Sequence, residues 1–142
     1  MNIIKIGGRE IPVALTVYEM IAIQEEIGCT VGEIREKVFG LERDIENDTY
    51  TMRLADDKEL LKRFGKLIRI VGNAGLEEAG QEPDLTDKWV MRRIKPTQLM
   101  DIVMDLINAI DDAMRMEYGE KKDDGPVDEV LEEENRKKEQ ES

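Results

Sequence analysis

The chain contains no histidine, and its 142 residues include one cysteine, one tryptophan and two phenylalanines. Without histidine it cannot build a Ser-His-Asp or Cys-His nucleophile system, and it lacks the most common zinc ligand. A single cysteine, Cys29, cannot form a disulfide within the chain, which suits a reducing compartment. We therefore expect a non-enzymatic protein without catalytic, cofactor-binding or metal-binding residues.

Long hydrophobic runs are also missing. No apolar segment approaches the roughly 18 residues that a membrane-spanning helix requires. Acidic residues outnumber basic ones by 33 to 21, so the formal net charge is −12. An acidic surface disfavours broad contact with nucleic-acid phosphates or with an anionic membrane face. We expect a cytoplasmic protein whose partners are neither nucleic acid nor membrane.

The charge is concentrated toward the end of the chain. Segment 119–142 contains ten acidic and five basic residues but only three aliphatic ones, Val127, Val130 and Leu131. Gly119, Gly125 and Pro126 interrupt a helix that would continue from upstream. The segment is predicted to be a disordered charged tail or linker, which leaves residues 1–118 as one folded domain.

The folded part opens with the pattern of a β-hairpin. Apolar residues alternate with polar neighbours on both sides of Gly7-Gly8, at Ile4, Ile6, Ile11 and Val13. Two glycines can supply the positive φ angles of a two-residue turn. Because Pro12 has no N–H to donate, the return strand is expected to have an open edge.

Two short helices are predicted next, because capping boxes occur at Thr16–Glu19 and Thr30–Glu33. The apolar face of the first is assigned to Val17, Met20, Ile21 and Ile27, and this helix should stop at Gly28. The second should end near Gly40. Residues 44–56 are compatible with either a loop or a short extra strand.

Three further helices complete the prediction. One carries helical periodicity from Leu60 to Val71 and is followed by a connection over residues 72–85. A short helix over Lys88–Ile94 should bury Trp89 in the core. The last helix, residues 97–118, is long and amphipathic, with one apolar stripe at Leu99, Ile102, Val103, Leu106, Ile107, Ile110 and Met114. The predicted fold is mainly α (α+β), an N-terminal hairpin followed by about five helices.

One basic stripe stands out in this acidic chain. Lys58, Lys62, Lys66 and Arg69 share an arc of the middle helix, opposite its apolar face. It is either an ordinary solvated face or a docking surface for an acidic partner, which would be another copy or the chain's own tail.

Four features together resemble a known family. They are the opening IIKIGGREIPV, the following LTVYEMIAIQEEIGCTVGEI, the mid-chain DLTDKWVMRRIKPTQL, and the closing amphipathic helix with its acidic tail. This combination resembles the tail assembly chaperones of long-tailed, siphovirus-type bacteriophages and of prophages of Gram-positive bacteria. The resemblance covers roughly residues 1–118.

The resemblance implies a role in the cytoplasm of the host bacterium. Such chaperones coat the long, largely helical tape measure protein, keep it soluble and recruit tail tube protein subunits. They are absent from the mature virion. Members often have a longer product made by ribosomal frameshifting, and the Lys121-Lys122 and Lys137-Lys138 pairs are compatible with slippery codons.

Flexible apolar side chains suit a client with many non-identical segments. The chain has eight methionines, and we assign client contact to Met104 and Met114 in a groove between the last helix and its neighbours. The hairpin's open edge and the segregated charge also predict self-association into an oligomer.

Two other functions remain open from the sequence. A small structural component of the virion, such as a head–tail joining protein, would share the size of this chain and would be present in finished particles. An acidic regulator directed at a host protein would bind a DNA-binding protein in a defined complex.

Overall fold

The computed structural model describes the backbone of residues 2–123 and the side chains of residues 2–115. This part of the chain has the predicted mainly helical α+β fold, with an N-terminal hairpin and five α-helices, and it contains a second antiparallel hairpin. The elements in chain order are β1 (Ile3–Ile6), β2 (Arg9–Pro12), α1 (Val17–Ala22), α2 (Ile34–Lys37), β3 (Leu41–Asp44), β4 (Thr49–Met52), α3 (Lys58–Glu78), α4 (Asp87–Arg93) and α5 (Leu99–Asp123).

The N-terminal hairpin forms as its alternation predicts. Ile4 lies opposite Ile11, and Ile6 lies opposite Arg9. The turn residues Gly7 and Gly8 have φ angles of 58° and 80°, which L side chains rarely adopt. Ile4, Ile6 and Ile11 are fully buried, so the hairpin places one face in the core and leaves the other outside.

The hairpin rests directly on α3. The backbone N–H of Ala14 donates to the carbonyl of Val71 at 3.0 Å. A Cβ atom on Gly75 would lie 2.0 Å from the Pro12 carbonyl oxygen, and one on Gly72 would lie 2.6 Å from Leu85 Cδ1. The predicted connection over 72–85 is therefore wrong at its start, because α3 continues to Glu78. Gly72 and Gly75, which lower helix propensity, form the surface of α3 that contacts the hairpin.

The first short helix has its predicted capping box, formed by Thr16 and Glu19. It continues as a π-helical turn over Ile23–Ile27 and ends at Gly28, whose φ is 88°. The predicted apolar face is partly wrong, because Val17 is 69% exposed and Ile21 is 51% exposed. The face that packs inward carries Met20, Ile23 and Ile27 instead, which are three and four residues apart.

The second short helix also begins at its capping box, with a 3₁₀ turn over Val31–Glu33 that leads into α2. Residues 44–56, ambiguous in the sequence, take part in a second hairpin in which β3 pairs with β4. A 3₁₀ turn over Leu54–Asp56 then leads into α3.

One core joins the hairpin to the helices. Phe39 and Phe64 meet edge to face with ring centroids 6.0 Å apart. On α5 the buried positions are Leu99, Ile102, Val103 and Leu106, and Ile107 and Ile110 are only partly buried. Trp89 is not the buried anchor that was predicted. It is partly buried at the edge of the core, with the guanidinium groups of Arg9 and Arg93 at 5.4 and 5.1 Å from its ring centroid.

Contacts divide the chain into two compact units, Met1–Ile110 and Asp111–Ser142. The backbone of α5 continues to Asp123, so residues 119–123, predicted to belong to the disordered segment, are helical. The remainder of that predicted segment lies outside the described residues. Within residues 2–123, none of the helices combines the length and the apolar character needed to cross a bilayer.

Candidate functional site

A groove of about 560 Å³ separates the N-terminal hairpin from the beginning of α5. It draws residues from both strands of the hairpin, from the turn before α5 and from the first two turns of α5. These residues are Ile3, Lys5, Glu10, Gln98, Asp101, Ile102, Met104 and Asp105. The structure thus places Met104, one of the two predicted client-binding methionines, in a groove between the last helix and a neighbouring element.

Two half-exposed apolar side chains lie in this groove. Ile3 is 46% exposed because it alternates with the buried Ile4 and faces away from the core. Met104 is 48% exposed, and its neighbour Ile102 is buried beneath. Met114, the other predicted methionine, is also 48% exposed. It belongs to the second unit, Asp111–Ser142, and does not line the groove.

Charged residues border the apolar part of the groove. Lys5 and Glu10 are cross-strand partners, and their Nζ and Oε2 atoms are 3.9 Å apart. Asp101 and Asp105 lie one turn apart on α5 and are exposed. Because Lys5 already has a carboxylate partner, the two aspartates leave the border of the groove net acidic. An apolar ligand with flanking lysine or arginine residues therefore suits it best.

The open edge of the hairpin belongs to β1. The Val13 N–H donates to the Asn2 carbonyl at 2.9 Å, so by alternation the peptide groups of Ile3 and Lys5 point away from β2. No described backbone hydrogen bond covers that edge. The sequence predicted an open edge on the return strand, and β2 is the other edge of this two-stranded sheet, but α3 covers it at Pro12.

The predicted basic stripe is divided by contacts within the chain. Asp87 Oδ2 lies 3.2 Å from Lys66 Nζ, and Asp87 Oδ1 lies 2.6 Å from Arg69 Nε. Arg69 also pairs with Glu26. Lys58 and Lys62 are exposed, and no ion pair in the described residues includes them. Half of the stripe therefore stabilises the contact between α3 and α4, and half remains accessible.

The ion pairs of Asp87 also shift the pKa values of the groups that form them. Partial burial alone would raise the pKa of the Asp87 carboxyl, but hydrogen bonds from Arg69 and Lys66 outweigh it and the pKa is lowered. Burial likewise acts to lower the pKa of Arg69, and the hydrogen bonds to Glu26 and Asp87 raise it overall. Both groups therefore stay charged near neutral pH.

A second, more apolar pocket of about 250 Å³ lies between α3, α4 and the start of α5. Its walls are the side chains of Ala55, Leu61, Phe64, Met91, Ile94, Pro96 and Leu99. The sequence analysis did not predict this pocket, although the apolar Met91 in α4 and Ile94 directly after it stand beside the basic residues Arg92, Arg93 and Lys95.

Two observations concern the cysteine and the acidic residues of the described surface. Burial, and then the charge of Glu33, raise the pKa of the Cys29 thiol, so this cysteine stays protonated. Among the described residues, no three Cys, Asp or Glu side chains converge as a metal-binding group.

No family model, no curated protein and no solved structure matches this chain.

Proposed function

We propose that the chain is a non-enzymatic tail assembly chaperone of a long-tailed bacteriophage or prophage. It binds the tape measure protein in the cytoplasm of the host bacterium, keeps it soluble and helps to recruit tail tube protein subunits. The groove between the hairpin and α5 is the observation that carries the proposal. It combines half-exposed Ile3 and Met104 with a charged border.

The groove suits an amphipathic helical client. A helix presents apolar side chains three and four residues apart, and Ile3 and Met104 offer two apolar contacts to such a stripe. The unbranched thioether side chain of Met104 adapts to segments of different shape. An extended client segment would instead pair with the open edge of β1.

Each groove alone binds weakly. Covering a half-exposed aliphatic side chain gains about 1 kcal/mol, half of the roughly 1.5–3 kcal/mol for complete burial. A long client with repeated apolar stripes is therefore covered by many copies, whose combined binding exceeds that of each one.

The net negative charge of the chain keeps the coated client in solution. Each bound copy brings a formal net charge of −12, so coated clients repel one another instead of aggregating through exposed apolar faces. The acidic border of the groove also favours client segments with flanking lysine or arginine residues.

The composition of finished phage particles tests this function against that of a structural component. We expect mass spectrometry of purified particles to find the tail tube and tape measure proteins and to find this chain only at background level. A head–tail joining protein would instead be present in a fixed number of copies per particle, and that result would reject the chaperone function. A host-directed regulator would also be absent from particles, but it would co-purify from infected cells with a DNA-binding protein and without the tape measure protein.

A further inference from the structure

Three exposed lysines lie close in sequence to residues that line the apolar pocket between α3 and α4. Lys58 lies one helical turn before Leu61, which lines the pocket, and Lys62 lies one turn before Gly65, against which Met91 packs. Lys95 sits between the lining residues Ile94 and Pro96. We call Lys58, Lys62 and Lys95 the basic rim.

The basic rim has no carboxylate partner of its own. All three lysines are exposed, and in the described part of the chain no ion pair includes any of them. The neighbouring carboxylate of Asp57 is occupied, because it accepts from the N–H groups of Glu59 and Leu60 and pairs with Arg53. Asp56, beside the lining residue Ala55, is exposed, and one carboxylate against three lysines leaves the surroundings of the pocket positive. In a chain with an excess of acidic residues, three unpaired lysines around one pocket indicate an anionic ligand.

The pocket itself selects an aliphatic side chain. Its volume of about 250 Å³ falls below the roughly 300–1,000 Å³ of pockets that hold drug-sized ligands or cofactors. Leu61, Phe64 and Ile94 make its walls apolar, and the 42% exposed Met91 is a flexible wall that can close over an inserted side chain. The complementary ligand is therefore an acidic peptide with an aliphatic anchor.

The chain carries such a peptide in its own sequence. Segment 128–134, DEVLEEE, places five carboxylates around the pair Val130-Leu131. We propose that the pocket and its basic rim bind segment 128–134 of a second copy of this chain, with Leu131 in the pocket and the carboxylates at the lysines.

This contact would be heterologous, because the pocket and the segment are different surfaces. A heterologous contact does not close on itself by two-fold symmetry, so successive copies can join in an open series. The proposal goes beyond the function above and does not depend on it, since the groove between the N-terminal hairpin and α5 is lined by other residues than this pocket.

Two full-length variants with complementary defects test the proposal. The first, Lys62→Glu with Lys95→Glu, loses the rim but keeps the acidic segment. The second, Leu131→Asp, loses the aliphatic anchor but keeps the pocket. We expect sedimentation velocity to show concentration-dependent self-association of the wild type, weakened about tenfold or more in each variant by like charge or by an unfilled pocket. Mixed together, the two variants should form a 1:1 complex.

The control is Lys37→Glu with Arg43→Glu, which makes the same change in net charge at exposed residues of α2 and β3 and should self-associate like the wild type. Unchanged circular dichroism establishes that each variant is folded. The proposal is overturned if the two variants self-associate normally, or if their mixture stays monomeric. A monomeric wild type in which Leu131→Asp still shifts the NMR signals of Met91 and Ile94 would show binding within one chain and would also overturn it.

Discussion

Replacing Gly75 by alanine is expected to lower the free energy of unfolding by about 2 kcal/mol or more. The new Cβ would lie 2.0 Å from the Pro12 carbonyl oxygen, 2.3 Å from its carbonyl carbon and 2.6 Å from the Val13 nitrogen. These are backbone atoms, so no side-chain rotation relieves the overlap. The hairpin must move away from α3, and the hydrogen bond between Ala14 and Val71 is strained with it.

The size of this effect follows from two opposing contributions. Forcing an atom into a packed contact costs about 1–3 kcal/mol and sometimes more, and a clash with backbone belongs at the upper end. Alanine is a better helix former than glycine by about 1 kcal/mol, which offsets part of the loss.

Urea unfolding followed by circular dichroism measures this difference. The matched control is Gly32→Ala, because the nearest atom to a Cβ there is Thr30 Oγ1 at 3.9 Å. We expect the control to stay within about 0.5 kcal/mol of the wild type. Equal stability of the Gly75 and Gly32 variants would contradict the close packing of the hairpin on α3.

Placing charges in the groove between the N-terminal hairpin and α5 is expected to have the largest effect on binding of the proposed client. In the variant Ile3→Asp with Met104→Asp, two half-exposed apolar contacts become carboxylates beside Asp101 and Asp105. A loss of 2 kcal/mol, typical of one central interface residue, already corresponds to about 30-fold in the dissociation constant. We expect at least that loss in a pull-down with the tape measure protein.

A control with the same chemistry separates binding from general surface acidity. Ile45 is 80% exposed and Tyr50 is 68% exposed, so Ile45→Asp with Tyr50→Asp adds two carboxylates on the other hairpin. Client binding should persist in this control. If both variants lose the client equally, the groove is not the binding site. A separate Met114→Asp variant shows whether client contact extends along α5.

Local sequence signals predicted most of the elements. The Gly7-Gly8 turn and the two capping boxes act over four residues or fewer, so they could be read directly, and they appear where they were expected. The course of α3 could not be read in this way. Gly72 and Gly75 lower helix propensity, but the hairpin needs their small size, and that requirement comes from residues about 60 positions earlier in the chain.

The candidate site depends even more on distant contacts. Met104 could be chosen from its position on an amphipathic helix, whereas the approach of Ile3 to α5 leaves no trace in the sequence of either segment. For the same reason the stripe Lys58, Lys62, Lys66 and Arg69 seemed uniform. Only the fold brings Asp87 and Glu26 to its second half.

Co-expression of this chain with a tape measure protein encoded in the same genome tests the proposed chaperone function most directly. The tape measure protein is expressed alone, with the wild-type chain and with the Ile3→Asp, Met104→Asp variant, and its soluble fraction is measured in each case. We predict an insoluble client alone, a soluble client bound to the wild-type chain, and loss of rescue with the variant. A client that stays insoluble and unbound in the presence of the wild-type chain would contradict the account.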